Sequence, residues 1–137
     1  MKPRNVVKFD HSVRGDANRF FNDIEKYINL MITDLQEKDV FDSFCKMTFD
    51  DIRSEVKFMK SLMILDDTTR NIPRFDFHPE VHIDVIEKMW DDIGILLFNN
   101  HLIKLDDKIG VHMMHIRRSY IKFINSCKIN AEIEEED

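Results

Sequence analysis

Histidine and carboxylate side chains are the groups of this chain best suited to bind a metal ion. Two pairs of histidines have helical spacings of four and three residues, so each pair could present two imidazoles to one metal, and two carboxylates follow the first pair. The chain has no HExxH motif and no ExxH motif of the kind used by di-iron bundles. Surface and capping roles are therefore the preferred interpretation, and we expect no metal or other cofactor. The candidate ligands are His78, His82, His112, His115, Asp84 and Glu87.

Asp84, Glu87 and Asp91 form an acidic stripe at helical spacing, which could hold Mg²⁺ for phosphate chemistry. All-α nucleotide pyrophosphatases use two such motifs on two helices, whereas here there is one. No glycine-rich phosphate loop is present, and no serine or cysteine has a recognisable nucleophile setting. These observations favour a protein without catalytic activity, with a metal-dependent enzyme as the alternative.

The composition is that of a single globular domain. Of the 137 residues, 43% are apolar and 34% are charged, and the net charge is −6. We expect no membrane partner, because no apolar run approaches the roughly 18 residues that a membrane span requires, and the first residues predict no secretory signal. Cys45 and Cys127 have no CxxC spacing and are interpreted as buried thiols in a reducing, cytoplasmic compartment.

Nucleic acid is not an expected partner. Arg117, Arg118, Lys122 and Lys128 could form a modest basic patch on the last helix, but the chain as a whole is acidic. Non-specific affinity for nucleic acid comes mainly from lysine and arginine, so one basic edge on an acidic protein is usually solvated surface.

The apolar periodicity predicts an all-α helical bundle of four long helices plus one short helix. The first helix is expected at about 17–37 with Asp16 as its N-cap, and a short helix at 39–47 follows. Thr48 is expected to cap the next helix, which reaches about residue 65. The last helix is expected at about 108–127.

The remaining long helix, at about 79–98, lies in the chain before the last helix and is predicted to be central. Val81, Val85, Ile86, Met89, Trp90 and Ile93 lie on one side of it, and residues 93–98 are apolar all round. A helix without a polar face must be enclosed by its neighbours. Gly94 is expected to let a neighbouring backbone approach closely.

The expected domain covers residues 1–130, with an extended arm at 1–10 and an acidic disordered tail at 131–137. The segments 5–9 and 74–77 are both rich in β-branched or aromatic residues, so a minor two-stranded β pairing of these two segments is one expectation.

Two short segments resemble known families. The residues WDDIGILLF at 90–98 resemble the central-helix segment of Bcl-2-like proteins, which implies a buried central helix and, as an alternative, a Bcl-2-like viral helical protein. Asp91 and Asp92 replace the Gly-Arg pair of that family. His101 to Lys104 resembles the HxLKG segment of histidine phosphotransfer domains, which implies a phosphotransfer bundle with His101 as the modified residue, but Leu105 stands at the glycine position.

A non-enzymatic, regulatory protein that binds another protein or a second copy of itself is the preferred functional hypothesis. Alanine is rare, whereas Ile, Lys, Asn, Asp and Phe are abundant, which indicates an AT-rich source genome and suggests a phage or viral accessory protein in the host cytoplasm. Apolar residues on non-helical segments have no helix seam to fill, so they are the predicted contact surface. The predicted partner-binding residues are Val6, Val7, Phe9, Arg70, Arg74, Phe75 and Phe77.

Overall fold

The computed structural model describes residues 2–9, 11–70, 81–99 and 101–134. These residues form four α-helices, and the prediction of an all-α helical bundle is confirmed. The helices are α1 (His11–Glu37), α2 (Ser43–Arg70), α3 (Ile83–Gly94) and α4 (Lys108–Ile129). A π-turn (Ile95–Asn99) and a 3₁₀ turn (Leu102–Lys104) connect α3 to α4, and two short strands, β1 (Lys2–Val6) and β2 (Glu132–Glu134), lie at the ends.

The first helix begins earlier than predicted. Asp16 is not its N-cap, because α1 already starts at His11. The Asp16 carboxylate instead accepts a hydrogen bond from the Ser126 hydroxyl of α4. An acidic residue at a helix start and one that pairs with a neighbouring helix look alike in sequence, so only the packing separates the two roles.

The second helix is continuous where a short helix and a long one were predicted. Asp42 caps it, since its Oδ1 accepts a hydrogen bond from the Cys45 amide at 2.9 Å. That bond is the main reason why the pKa of the Asp42 carboxyl lies below its usual value. The predicted cap, Thr48, lies inside the helix, where its hydroxyl donates to the Phe44 carbonyl one turn back at 3.0 Å.

The most extensive helix contact joins α1 to α4 in antiparallel orientation. Three polar side chains of α4, each seven residues from the next, bond to carboxylates of α1. His112 lies 2.9 Å from Asp34, and the Ser119 and Ser126 hydroxyls donate to two further aspartates. These three bonds, named here the α1–α4 ladder, run along one side of the hydrophobic seam; they are His112–Asp34, Ser119–Asp23 and Ser126–Asp16.

The N-terminal arm is part of the core. β1 pairs antiparallel with β2, and the Val7 amide donates to the Val81 carbonyl at 2.7 Å. Val6 and Val7 are fully buried, and Phe9 is 7% exposed. The acidic tail predicted at 131–137 includes β2, and residues 135–137 lie outside the described residues. The sequence predicted that residues 5–9 pair with residues 74–77, and the segment 74–77 lies outside the described residues.

The third helix is less enclosed than predicted. Ile83, Ile86, Met89 and Ile93 are buried, but Val85 is 37% exposed and Trp90 is half-buried. The prediction that residues 93–98 are enclosed on all sides is wrong, since Ile95 is 51% exposed and Phe98 is 39% exposed. The start predicted for this helix, near residue 79, lies outside the described residues.

Candidate functional site

A groove runs between two walls on one side of the bundle. One wall is formed by α3 and the π-turn, and the other by α4. Large apolar side chains stand exposed on both walls: Ile95 and Phe98 on the first, and Met114, which is 59% exposed, on the second. The lining residues are Trp90, Asp91, Gly94, Ile95, Phe98, Gly110, Met113, Met114 and Arg117. We call this feature the α3–α4 groove.

The α3 wall is apolar yet exposed because every residue of 95–98 is apolar while only one side of this element is buried. The π-turn shifts the backbone hydrogen bonds to residues i and i+5, but Leu97 is buried four residues after buried Ile93, so burial keeps the helical spacing. Of the consecutive residues 95–98, only Leu97 is fully buried. π-turns are rare and frequently occur at functional sites. Ile95 and Phe98 therefore belong to the solvent-facing side of this element.

Aromatic stacking supports the floor of the groove. The Trp90 ring stacks on the Tyr120 ring, with the centroids 4.5 Å apart and the planes inclined by 8°. Phe20 of α1 contacts both rings from below, at 6.0 Å from Trp90 and 5.7 Å from Tyr120. Burial, followed by the charges of Glu87 and Asp91, raises the pKa of Tyr120 to about 12, so its hydroxyl stays neutral at physiological pH.

Gly94 widens the groove at its centre. A Cβ atom added there would meet nothing within 4 Å, so the expected close approach of a neighbouring backbone is not found. On the opposite wall, a Cβ at Gly110 would meet Ile103 Cδ1 at 3.2 Å. A side chain at position 94 would therefore enter the groove, whereas one at position 110 would press on the 3₁₀ turn.

The two walls carry opposite charges. Asp91 lies on the α3 wall, and Arg117 lies on the α4 wall. Both residues are exposed, and within the described part of the chain neither forms an ion pair of 4.0 Å or less. The next acid along α3, Asp92, is paired with Lys88 at 3.0 Å. The groove thus combines an apolar lining with one uncompensated charge of each sign.

The candidate metal ligands occupy separate places. His112 is bonded to Asp34, and His115 stacks on Tyr27 with the ring centroids 5.0 Å apart. His82 lies at the N-terminus of α3, where its backbone pairs with Val6. Asp84 and Glu87 lie on α3, and His78 is outside the described residues. Across the described residues, no three metal-binding side chains come together.

Of the partner-binding residues nominated from the sequence, Val6, Val7 and Phe9 are buried. Val6, Val7 and Phe9 pack into this chain's own core, so the reason for nominating them, the lack of an apolar seam to fill, does not hold. Arg70 is the last residue of α2. The remaining nominated residues, Arg74, Phe75 and Phe77, lie outside the described residues, and their binding role stays a prediction.

His101, the residue suggested by the phosphotransfer resemblance, lies between the π-turn and the 3₁₀ turn. It is exposed and adopts a left-handed backbone conformation with φ of 63°. His101 thus lies in the connection between α3 and α4, which differs from the mid-helix position that the resemblance would require.

The groove is not the only exposed apolar surface. Phe44, Met47, Phe58 and Ile64 of α2 are each more than 40% exposed; Phe58 lines a concavity shared with Val85 of α3, and Ile64 lines one shared with α1. The α3–α4 groove differs because three large exposed apolar side chains, Ile95, Phe98 and Met114, line it together. The sequence marked the two walls separately, as an apolar segment and as a basic patch, with no signal that they face each other.

Comparison with known proteins provides no relative. No protein-family model, no curated protein and no solved structure matches the chain. The resemblance of residues 90–98 to Bcl-2-like proteins therefore stays a prediction. Within the described residues, no helix is both long and apolar enough to cross a lipid bilayer.

Proposed function

We propose that this protein acts by binding protein through the α3–α4 groove, as a regulatory factor without catalytic activity. The observation that carries the proposal is the pair of facing walls with exposed Ile95, Phe98 and Met114. Large exposed apolar side chains that line one concavity are typical of protein-binding surfaces, and flexible methionines are over-used in them. A source in a phage or virus, suggested by composition, would fit such an accessory role.

The groove suits a helical or turn-like insert. An amphipathic segment presents apolar side chains at every third or fourth residue, and such a row can lie between two walls. Trp90 offers a large ring on a floor that Phe20 and Tyr120 support from below. Tryptophan and arginine are enriched among the residues that contribute most to binding, and both line this groove.

Replacing Gly94 by phenylalanine is expected to weaken binding by about tenfold or more, which is roughly 1.4 kcal/mol. The added ring would occupy the centre of the groove without meeting other atoms of the chain at its Cβ. Affinity capture of partners with immobilised protein, followed by titration of each captured protein, measures the change. A library of displayed helical peptides selected on the wild-type protein gives the same readout without knowledge of the natural partner.

Gly15→Phe is the matched control. Gly15 also lies within a helix, is exposed, and has nothing within 4 Å of an added Cβ, but it is in α1 and does not line the groove. Both variants change a helical glycine to the same residue, so their effects on helix propensity are alike. If partners bind the Gly94 variant as tightly as the Gly15 variant, the groove is not the binding surface.

A further inference from the structure

The α3 side of the α3–α4 groove carries exposed apolar side chains that could insert into a groove of the same kind. Ile95 and Phe98 project from the π-turn, and Asp91 lies next to them along the same edge. We call this set the α3 edge. It is apolar with one negative charge, whereas the opposite wall of the groove is apolar with one positive charge, Arg117. A single chain therefore displays both halves of a complementary contact.

We infer that two copies of this chain associate by exchanging α3 edges, so that each copy seats its Ile95 and Phe98 in the α3–α4 groove of the other and places its Asp91 beside the other copy's Arg117. This inference rests on the proposed function, because it uses the same groove and names a second copy as the occupant.

The symmetry of the contact follows from the placement of the two charges. Rotation by 180° about an axis that runs along the groove brings the α3 wall of one copy over the α4 wall of the other. Both Asp91 residues then meet an Arg117, so the charge pair forms twice. Such isologous contacts produce closed two-fold dimers, the commonest oligomers of soluble proteins.

The charges near the groove favour this occupant over an unrelated helix. Lys88 and Asp92 already neutralise each other at 3.0 Å, so Asp91 and Arg117 are the uncompensated charges of the groove lining. A foreign helix would have to supply an acid and a base in matching positions, whereas a second copy supplies both in the required places. Opposite charges that meet at an interface select the partner and its orientation.

Charge reversal tests the inference directly. Asp91→Lys and Arg117→Glu are each expected to weaken dimerisation by about tenfold, because each change places like charges opposite each other twice. An equimolar mixture of the two variants is expected to dimerise with an affinity close to wild type, since every contact then joins opposite charges. Sedimentation equilibrium over a range of concentrations measures the dissociation constants, and native mass spectrometry of mass-labelled chains identifies the mixed dimer.

Lys122→Glu serves as the control variant, because Lys122 is an exposed residue of α4 that does not line the groove. It changes the net charge as much as Arg117→Glu does, and it is expected to leave dimerisation unchanged. A wild-type protein that remains monomeric at the highest soluble concentration would overturn the inference. So would a mixture of the two charge-reversed variants that fails to recover the wild-type affinity.

The outcomes for the two proposals are separable. A monomeric protein whose capture of another protein is lost on Gly94→Phe would retain the proposed function and reject self-association. A dimer that Gly94→Phe dissociates, with no other protein bound, would support self-association and limit the function to it. A dimer unaffected by Gly94→Phe and by charge reversal would place the interface elsewhere and overturn the inference.

Discussion

Phe20→Ala is expected to lower the free energy of unfolding by about 3–5 kcal/mol, the usual range for removal of a fully buried aromatic side chain. Phe20 has no solvent exposure, and its ring lies 5.6 Å from those of Phe21 and Phe123 and close to Trp90 and Tyr120. The substitution leaves a cavity where α1, α3 and α4 meet. Because small domains are stabilised by only about 5–15 kcal/mol in total, this substitution is expected to remove a large share of the free energy of unfolding.

Urea denaturation followed by circular dichroism measures this effect. Phe44→Ala is the control, since Phe44 is 46% exposed on α2, and substitution at such surface positions usually changes stability by less than about 0.5 kcal/mol. The Trp90 fluorescence of the Phe20 variant should also change, because its ring loses a contact. Equal stabilities of the two variants would mean that the aromatic cluster does not organise the core.

Asp106→Ala is expected to destabilise the fold by about 2–3 kcal/mol, because it removes the acceptor of the first amide of α4 and of a charged hydrogen bond from Lys38. Asp106 is 2% exposed, and its Oδ1 accepts hydrogen bonds from the Lys108 amide at 3.0 Å and from Lys38 Nζ at 3.1 Å. It therefore joins the end of α1 to the start of α4. Its Oδ2 is buried without a hydrogen-bond partner among the described residues, which offsets part of this stabilisation.

The stabilisation by Asp106 is expected to depend on pH. Burial by itself raises the pKa of this carboxyl, but the Lys108 amide, the Lys38 hydrogen bond and the nearby lysine charges together hold it below the usual value. A lowered pKa in the folded state means that the contribution is complete above the unfolded pKa of about 3.9 and is lost as the pH falls through the lower folded value. The stability difference between wild type and Asp106→Ala should therefore be constant near neutrality and narrow below about pH 4.

Asp106→Asn separates the two contributions to this effect. It can keep the hydrogen bond to the Lys108 amide but removes the charge that pairs with Lys38. Near neutral pH, Asp106→Asn is expected to lose less stability than Asp106→Ala. The stability difference between these two variants should stay constant as the pH falls, whereas the difference between wild type and either variant should narrow, as measured by urea denaturation at several pH values. A pH-independent difference between wild type and Asp106→Ala would contradict the role of the ionised carboxylate.

Periodicity revealed the helices but not all of their ends. The stripes of α1 and α4 predicted both helices because burial on one side repeats with the helical period. Asp42 and Thr48 are both of residue types that cap helices. Which of them caps α2 depends on the backbone group that each side chain contacts. Val6 and Val7 were assigned to an exposed arm because the contact with Val81 joins segments far apart in the chain.

The groove could be predicted only in parts. The apolar run at 95–98 and the base Arg117 are visible in the sequence, but the π-turn depends on an i to i+5 bonding pattern that the helical period does not encode. The run was assigned to the interior because all of its residues are apolar, but Ile95 and Phe98 are exposed. That α3 and α4 form facing walls follows from the connection between them, which no local pattern specifies.

The α1–α4 ladder has a consequence for how the groove adapts to an occupant. Sliding α4 along α1 by one helical turn, about 5.4 Å, would break all three side-chain bonds together, so the α4 wall is locked in axial register. The opposite wall ends in a π-turn whose described side chains, Ile95 to Phe98, are apolar and form no such hydrogen bonds. Amide hydrogen exchange should accordingly be slow along the buried length of α4 and faster at 95–99. When an occupant binds, the π-turn is therefore expected to change conformation, while the α4 wall keeps its position.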